Sequence, residues 1–301
     1  MFTNVTVDDV FSCHDAKSIF MIPQMLYEQG LVDVVFKKFA KMGYTNTSKN
    51  WDNWNTIVNS LQKTGDVIKI AMVGKYVTLA DSYVSVNEAL KHASASIGRS
   101  VNIDWIDSET LNGNLDQLHN FDGVLVPGGF GIRGSEGIID TATYALEKNI
   151  PYLGICFGFQ LAAVAFGRKM CNLENANSTE IVSDTTNPII DLLPEQKDET
   201  DMGGSLRLGA NEIMISQDSL AHKTYSSDKI FKRHRHRYEF NTKYREEFLK
   251  KGMIFSGESD DGKRMEILEV PSHKFFLGVQ YHPEFNSRPG FPEDAFKTFV
   301  T

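Results

Sequence analysis

Between residues 67 and 169 the chain alternates short apolar, β-branched runs with segments whose apolar residues recur at helical spacing. Residues 67–73 read as a strand ending at Gly74, 82–96 as a helix and 101–106 as a second strand. Residues 121–126 form a third strand that runs into Pro127-Gly128-Gly129, and a helix follows over 137–148. A fourth strand, 151–155, leads into an Ala-rich helix over 158–169. Strand, helix, strand at this spacing predicts an α/β domain: a mostly parallel central sheet, right-handed crossovers and helices on both faces. In such sheets chemistry gathers beyond the carboxyl ends of the strands.

The flanking segments are less regular. Residues 31–42 predict a helix, with Val34, Val35, Phe36 and Phe39 near helical spacing, but residues 1–45 hold too little apolar surface for a core of their own. Residues 43–53 read as a polar linker, and Trp51 and Trp54 open a helix to about Gln62. The predicted division is 1–45, a linker and helix at 46–66, and one large domain at 67–301. From about residue 180, strand-like runs at 212–216, 253–256, 265–270 and 275–281 are expected to extend the sheet and add a small antiparallel layer. Residues 184–202, polar and containing Pro188 and Pro194, predict a long loop.

A net charge of −8 argues against a nucleic-acid partner, because polyanion binding rests on many Lys and Arg neutralising phosphates. No apolar run reaches the roughly 18 residues a membrane span needs, and the N-terminus lacks the basic start and apolar stretch of a signal peptide. A cytoplasmic protein with no membrane partner is expected. Three cysteines, Cys13, Cys156 and Cys171, make neither a disulfide framework nor a metal site at close ligand spacing. No metal is expected, and single-cysteine chemistry becomes the question.

Cys156 sits in Gly154-Ile155-Cys156-Phe157-Gly158, between an apolar strand and a helix. Glycines flanking a nucleophile at this spacing permit a sharp, strained elbow that projects the middle side chain, exposed, from the sheet edge. The positive end of the following helix and a nearby imidazolium would favour its thiolate. Cys13 and Cys171 sit in no such elbow.

A nucleophilic cysteine needs a base, and the base needs a group that holds its tautomer. The strand ending at Tyr281 is followed by His282-Pro283-Glu284. On an extended segment residues two apart share a side, so the Glu284 carboxylate could reach the His282 ring. Pro127-Gly128-Gly129-Phe130-Gly131-Ile132-Arg133-Gly134, at another strand exit, lets backbone N–H groups approach a ligand. No phosphate-cradling glycine motif occurs, so no complete nucleotide site is expected here.

These three stretches, taken with Leu153-Gly154-Ile155-Cys156-Phe157-Gly158-Phe159-Gln160, resemble the class I glutamine amidotransferases. The resemblance implies a flavodoxin-like fold that hydrolyses L-glutamine to glutamate and ammonia through a γ-glutamyl thioester on Cys156. It implies His282 as base and acid, Glu284 as its orienter, and the Gly129 and Phe157 amides as the oxyanion hole. Glutamine contacts are implied at Gly129, Phe157, Gly158, Phe159, Gln160, Glu180 and Arg237. An Arg237 fork suits the substrate carboxylate, and Glu180 suits its ammonium. The turn carries Phe157 and Phe159 where the family usually has Leu and Met.

Within the family, Ala71-Met72-Val73-Gly74-Lys75-Tyr76, Met202-Gly203-Gly204-Ser205-Leu206-Arg207-Leu208-Gly209 and Arg233-His234-Arg235-His236-Arg237-Tyr238-Glu239 are similar to members fused to a pyrimidine-nucleotide synthetase. Residues 1–45 resemble the closing stretch of that synthetase (amidoligase) domain, with Ile22-Pro23 and Gln29-Gly30 among the matching residues. The resemblance implies a synthetase partner in the same polypeptide, which holds ATP, UTP and Mg, a tetrameric whole enzyme, and ammonia passed to UTP. The chain itself is expected to need no cofactor. Arg233 and Arg235 are expected in a mixed structural and solvent-facing role. Two other readings share these residues: a peptidase of the same fold, which need not clamp both free ends of an amino acid, and an inactive assembly module.

Overall fold

Helices of seven to eleven residues do not hold themselves in water and need a partner for their apolar face. The computed structural model describes residues 4–39, 51–62, 65–77, 79–111, 113–192 and 206–301, and the chain divides into two units, Met1–Thr64 and Gly65–Thr301. The first carries α1 (Ile22–Glu28), α2 (Leu31–Phe39) and α3 (Asp52–Gln62). The Trp54 indole donates to the Phe20 carbonyl at 3.0 Å, and the Trp51 and Tyr27 rings lie 4.9 Å apart. Both tryptophans thus tie α3 to the segment before it. Val58 alone is buried among the described residues of this unit. Residues 40–42 of the predicted helix and 43–50 of the predicted linker lie outside the described residues.

The second unit runs β1 (Val67–Gly74), α4 (Val84–Ser96), β2 (Ser100–Asp107), β3 (Gly123–Val126), α5 (Ser135–Lys148), β4 (Tyr152–Ile155) and α6 (Phe157–Lys169). It continues through β5 (Ala176–Ser178), β6 (Asn187–Leu192), β7 (Arg207–Ile215), α7 (Leu220–Tyr225), β8 (Lys229–His236), β9 (Tyr238–Phe240) and α8 (Arg245–Lys250). It closes with β10 (Ile254–Ser259), β11 (Met265–Glu269), β12 (Phe276–Val279) and α9 (Asp294–Val300).

One sheet has the order β2-β1-β3-β4-β12-β11-β10-β7-β8. Its first five strands are mutually parallel, in the order that flavodoxin-like sheets use, and every later join is antiparallel. Period-two alternation divides each parallel strand between two cores. Ala71 and Val73 pack with Ile138 and Ala142 of α5 and Leu161 and Phe166 of α6. Ile68, Ile70 and Met72 pack with Leu90 and Ala93 of α4 and Phe296 and Phe299 of α9. β3 and β4, buried at every position, are apolar throughout for the same reason.

The smaller layer, β5-β6-β9, is mixed rather than wholly antiparallel, because β5 runs parallel to β6. Its strand β6 lies inside the stretch 184–202 predicted as loop. Ile189 and Ile190 are wholly buried there, and Pro188, near the strand start, removes only one ladder donor. Residues 193–205 lie outside the described residues, and with them the first four of Met202-Gly203-Gly204-Ser205-Leu206.

Candidate active site

Three adjacent parallel strands, β3, β4 and β12, deliver their carboxyl ends side by side. β4 and β12 pair through Gly154↔Gly278 and Ile155↔Val279, and the Cys156 N–H continues the ladder by donating to the Val279 carbonyl at 2.7 Å. The register therefore places Cys156 next to the segment that carries His282.

Cys156 has φ 51° and ψ −96°, a conformation that strains any residue with a Cβ and that turns the chain directly into α6. The turn is tight: a Cβ on Gly158 would lie 2.4 Å from the Val126 carbonyl oxygen of β3. The side chain, expected exposed, is instead buried at 5% exposure. It joins the apolar core on the α4 and α9 side of the sheet, but the sulfur keeps two polar neighbours. Sγ lies 3.8 Å from the Arg235 carbonyl oxygen and accepts from the Gln280 side-chain amide at 3.7 Å.

The His282 Nδ1 and Glu284 Oε1 are 2.8 Å apart. The link is made differently from the expected extended segment: Pro283–Asn286 forms one 3-10 turn, and His282 caps it. Burial pushes the imidazole pKa down, but hydrogen bonding and charge from Cys156 and Glu284 outweigh it and raise it to about 10. The backbone of the base is pinned from β8, where the Arg233 carbonyl accepts the His282 N–H at 2.9 Å.

The glycine-rich exit of β3 is held on both sides. The Lys75 ammonium donates to the Phe130 carbonyl at 2.7 Å and to the Gly131 carbonyl, while the Gly131 N–H donates to Glu180 Oε1 at 2.7 Å. Lys75 also lies 4.2 Å from the centroid of the Phe157 ring, and burial, opposed by Glu180, lowers its pKa to about 8. A Cβ on Gly129 would stand 3.4 Å from Phe157, so the two residues whose amides were expected to form an oxyanion hole are neighbours.

Residues 78–301 match the family described as Glutamine amidotransferase class-I. The chain belongs to this family. Over its full length it is 46% identical to the CTP synthase of Staphylococcus haemolyticus and 45% identical to that of Archaeoglobus fulgidus, and it spans 56% of the length of each. Among solved structures it is similar to the glutaminase domain of Trypanosoma brucei CTP synthase with bound acivicin, at 36% identity and TM-score 0.73, covering 77% of this chain and 92% of that one.

The remaining residues expected around an amidotransferase's glutamine fall as follows. Phe157 and Phe159 are buried, and both rings join the core under α6. Gln160 is buried at 3% exposure, with its side-chain nitrogen donating to the Tyr238 carbonyl at 2.8 Å and to Gln280 Oε1 at 3.3 Å. Glu180 and Arg237 both act on the Tyr238 phenol: burial and Glu180 raise its pKa, and Arg237 lowers it. Cys13 is exposed, and Cys171 is buried, its thiol raised to about 11 by burial and Glu247. Among the described residues no cluster of His, Cys, Asp or Glu is placed to hold a metal ion, and no helix is long and apolar enough to cross a membrane.

Sequence reasoning missed three contributors: Lys75, Gln280 and the backbone of β8. In β8 the side chains alternate, with Arg233 and Arg235 outward and Lys232, His234 and His236 inward. His234 bonds Glu266 at 2.8 Å, Arg207 bonds the other Glu266 oxygen, and Lys232 bonds Glu293 at 2.6 Å. The two outward arginines serve the site through their carbonyls. The Arg-His alternation over 233–236 has the period of two that a strand imposes, with the histidines on its buried face.

Proposed function

We propose that the chain hydrolyses L-glutamine through Cys156 and supplies the ammonia to a synthetase domain of the same polypeptide. The observation that carries the reading is the convergence of three strand exits: the sulfur of Cys156, the His282 ring locked to Glu284, and the Gly129-Phe157 pair. With the Cys156 proton already resting on His282, the sulfur attacks the carboxamide carbon while the Gly129 and Phe157 amides collect charge on the oxygen. His282 returns the proton to the leaving nitrogen, ammonia departs, and a γ-glutamyl thioester remains. Water deprotonated by His282 then releases glutamate. Glu284 holds the Nδ1–H tautomer throughout.

Arg237 and Glu180, in this reading, clamp the α-carboxylate and α-ammonium of a free amino acid. In this reading the synthetase partner binds ATP, UTP and Mg, and the ammonia aminates UTP to CTP in a cytoplasmic tetramer. The similarity to full-length CTP synthases and the pairing with the T. brucei glutaminase domain support this assignment. Ammonia release from glutamine, measured for the wild type beside Cys156→Ala, tests the nucleophile. Loss of activity in the variant is expected, and equal rates would end the reading. Cleavage of γ-glutamyl peptides at rates matching glutamine would instead favour a peptidase.

A further inference from the structure

We propose that Gln280 positions the sulfur of Cys156 by donating to it from its side-chain amide, with Gln160 and the Tyr238 carbonyl deciding which end of that amide faces the sulfur. The Gln280 N–H carries the ladder one residue past β12 by donating to the Glu266 carbonyl at 2.9 Å, so period-two alternation places Gln280 on the side of Gly278. That side meets α6, since a Cβ on Gly278 would stand 3.3 Å from the Phe159 Cα. Gln280 is thus the residue of β12's exit that lies level with the nucleophile.

The two ends of a glutamine amide have the same shape, so only hydrogen-bond logic orients it. A backbone carbonyl can only accept, so the Gln160 atom 2.8 Å from the Tyr238 oxygen is nitrogen. The second hydrogen of that nitrogen faces Gln280 at 3.3 Å, so the Gln280 atom there is oxygen. The far end, the NH2, then faces Sγ at 3.7 Å. Gln160 and Gln280 are 3% and 1% exposed, and reversing either amide would set donor against donor or acceptor against acceptor inside the protein.

A donor contributes little to a neutral thiol and much more to a thiolate, because hydrogen bonds to ionised acceptors are roughly twice as strong as neutral ones. Gln280 therefore acts when the Cys156 proton has passed to His282 and the sulfur carries charge, holding the sulfur in place for attack. It touches the nucleophile and not the substrate, so it is a positioning residue.

The proposal rests on Cys156 as nucleophile, and two substitutions separate the claims. Gln280→Glu keeps an acceptor for Gln160 but sets a carboxylate against the sulfur, and Gln280→Met keeps the length and removes both bonds. Alkylation of Cys156 by iodoacetamide, which does not use a glutamine pocket, is expected to slow about tenfold in the Met variant and further in the Glu variant. Turnover of glutamine is expected to fall in parallel, with KM within about twofold. The thiolate ultraviolet absorbance is expected to drop in both. A purely structural role would lower the melting temperature and leave alkylation of the folded protein at the wild-type rate, and that result overturns the proposal. In the wild type, the Gln280 side-chain amide NMR resonance is expected to move when Cys156 is alkylated; no movement overturns it without any variant. Activity surviving in Cys156→Ala would remove the nucleophile itself, whereas an inactive Cys156→Ala beside normally alkylated Gln280 variants would remove only the role of Gln280.

Discussion

The imidazole of His282 lies so close to Gly128 that a Cβ on Gly128 would stand 2.8 Å from Cε1 of the ring. The first glycine of the β3 exit thereby sets where the ring can sit. Gly128→Ala is expected to push the ring away from Cys156 and to lower glutamine turnover about a hundredfold, the usual cost of a displacement near 1 Å. Circular dichroism is expected to report an intact fold.

The raised His282 pKa has a definite sign. The group titrates at about 10 when folded against an ordinary 6.5, so it is an imidazolium at neutral pH, ready to protonate the departing ammonia. Its contribution to stability is complete below 6.5 and is lost as the pH rises through about 10. Glu284→Gln removes one of the groups that raises it, so the alkaline limb of kcat/KM is expected to move to lower pH. A fall in kcat of about a hundredfold or more is expected as well. An unmoved limb would show that Glu284 does not act on the ring.

Glu266 is buried beneath β8, where burial pushes its carboxyl up but His234 and Arg207 hold it down at about 2. A carboxyl lowered from 4.5 stabilises the fold above pH 4.5, and that contribution is lost as the pH falls through about 2. Glu266→Gln takes the carboxylate from the partly exposed Arg207 and from the buried His234 and is expected to destabilise by roughly 3–5 kcal/mol, read by denaturant unfolding. Because β8 carries the carbonyls of Arg233 and Arg235, turnover is expected to fall in the same variant.

Gly158→Ala tests the elbow. With the Val126 carbonyl 2.4 Å from the new carbon, α6 must shift away from β3, and a loss of about 1–3 kcal/mol is expected together with slower labelling of Cys156. Unchanged melting would mean that the helix start accommodates a methyl group.

Much of the parallel half of the fold was legible because each strand there is a continuous apolar run or an alternating one, punctuated by glycine. The elbow around Cys156 and the pairing of His282 with Glu284 were legible for a related reason, since both join residues close in the chain, although the pairing was expected on an extended segment and is made by a 3-10 turn. β6 was read as loop because Pro188 and its polar neighbours masked two isoleucines, whose value appears only once β5 and β9 are there to cover them. The Cys156 side chain was expected exposed because an elbow implies projection, yet β8 and Gln280 close over it.

Residue order alone determined which side chains stand at strand exits, because side-chain period and glycine spacing are local properties of the polypeptide. It did not determine that β12 lies beside β4, that β8 lends its carbonyls to the sulfur and the base, or that Lys75 clamps the loop after β3. Those contacts join segments far apart in the chain, many of them through backbone atoms that every residue type carries alike. Only the order of strands in the folded sheet brings them together.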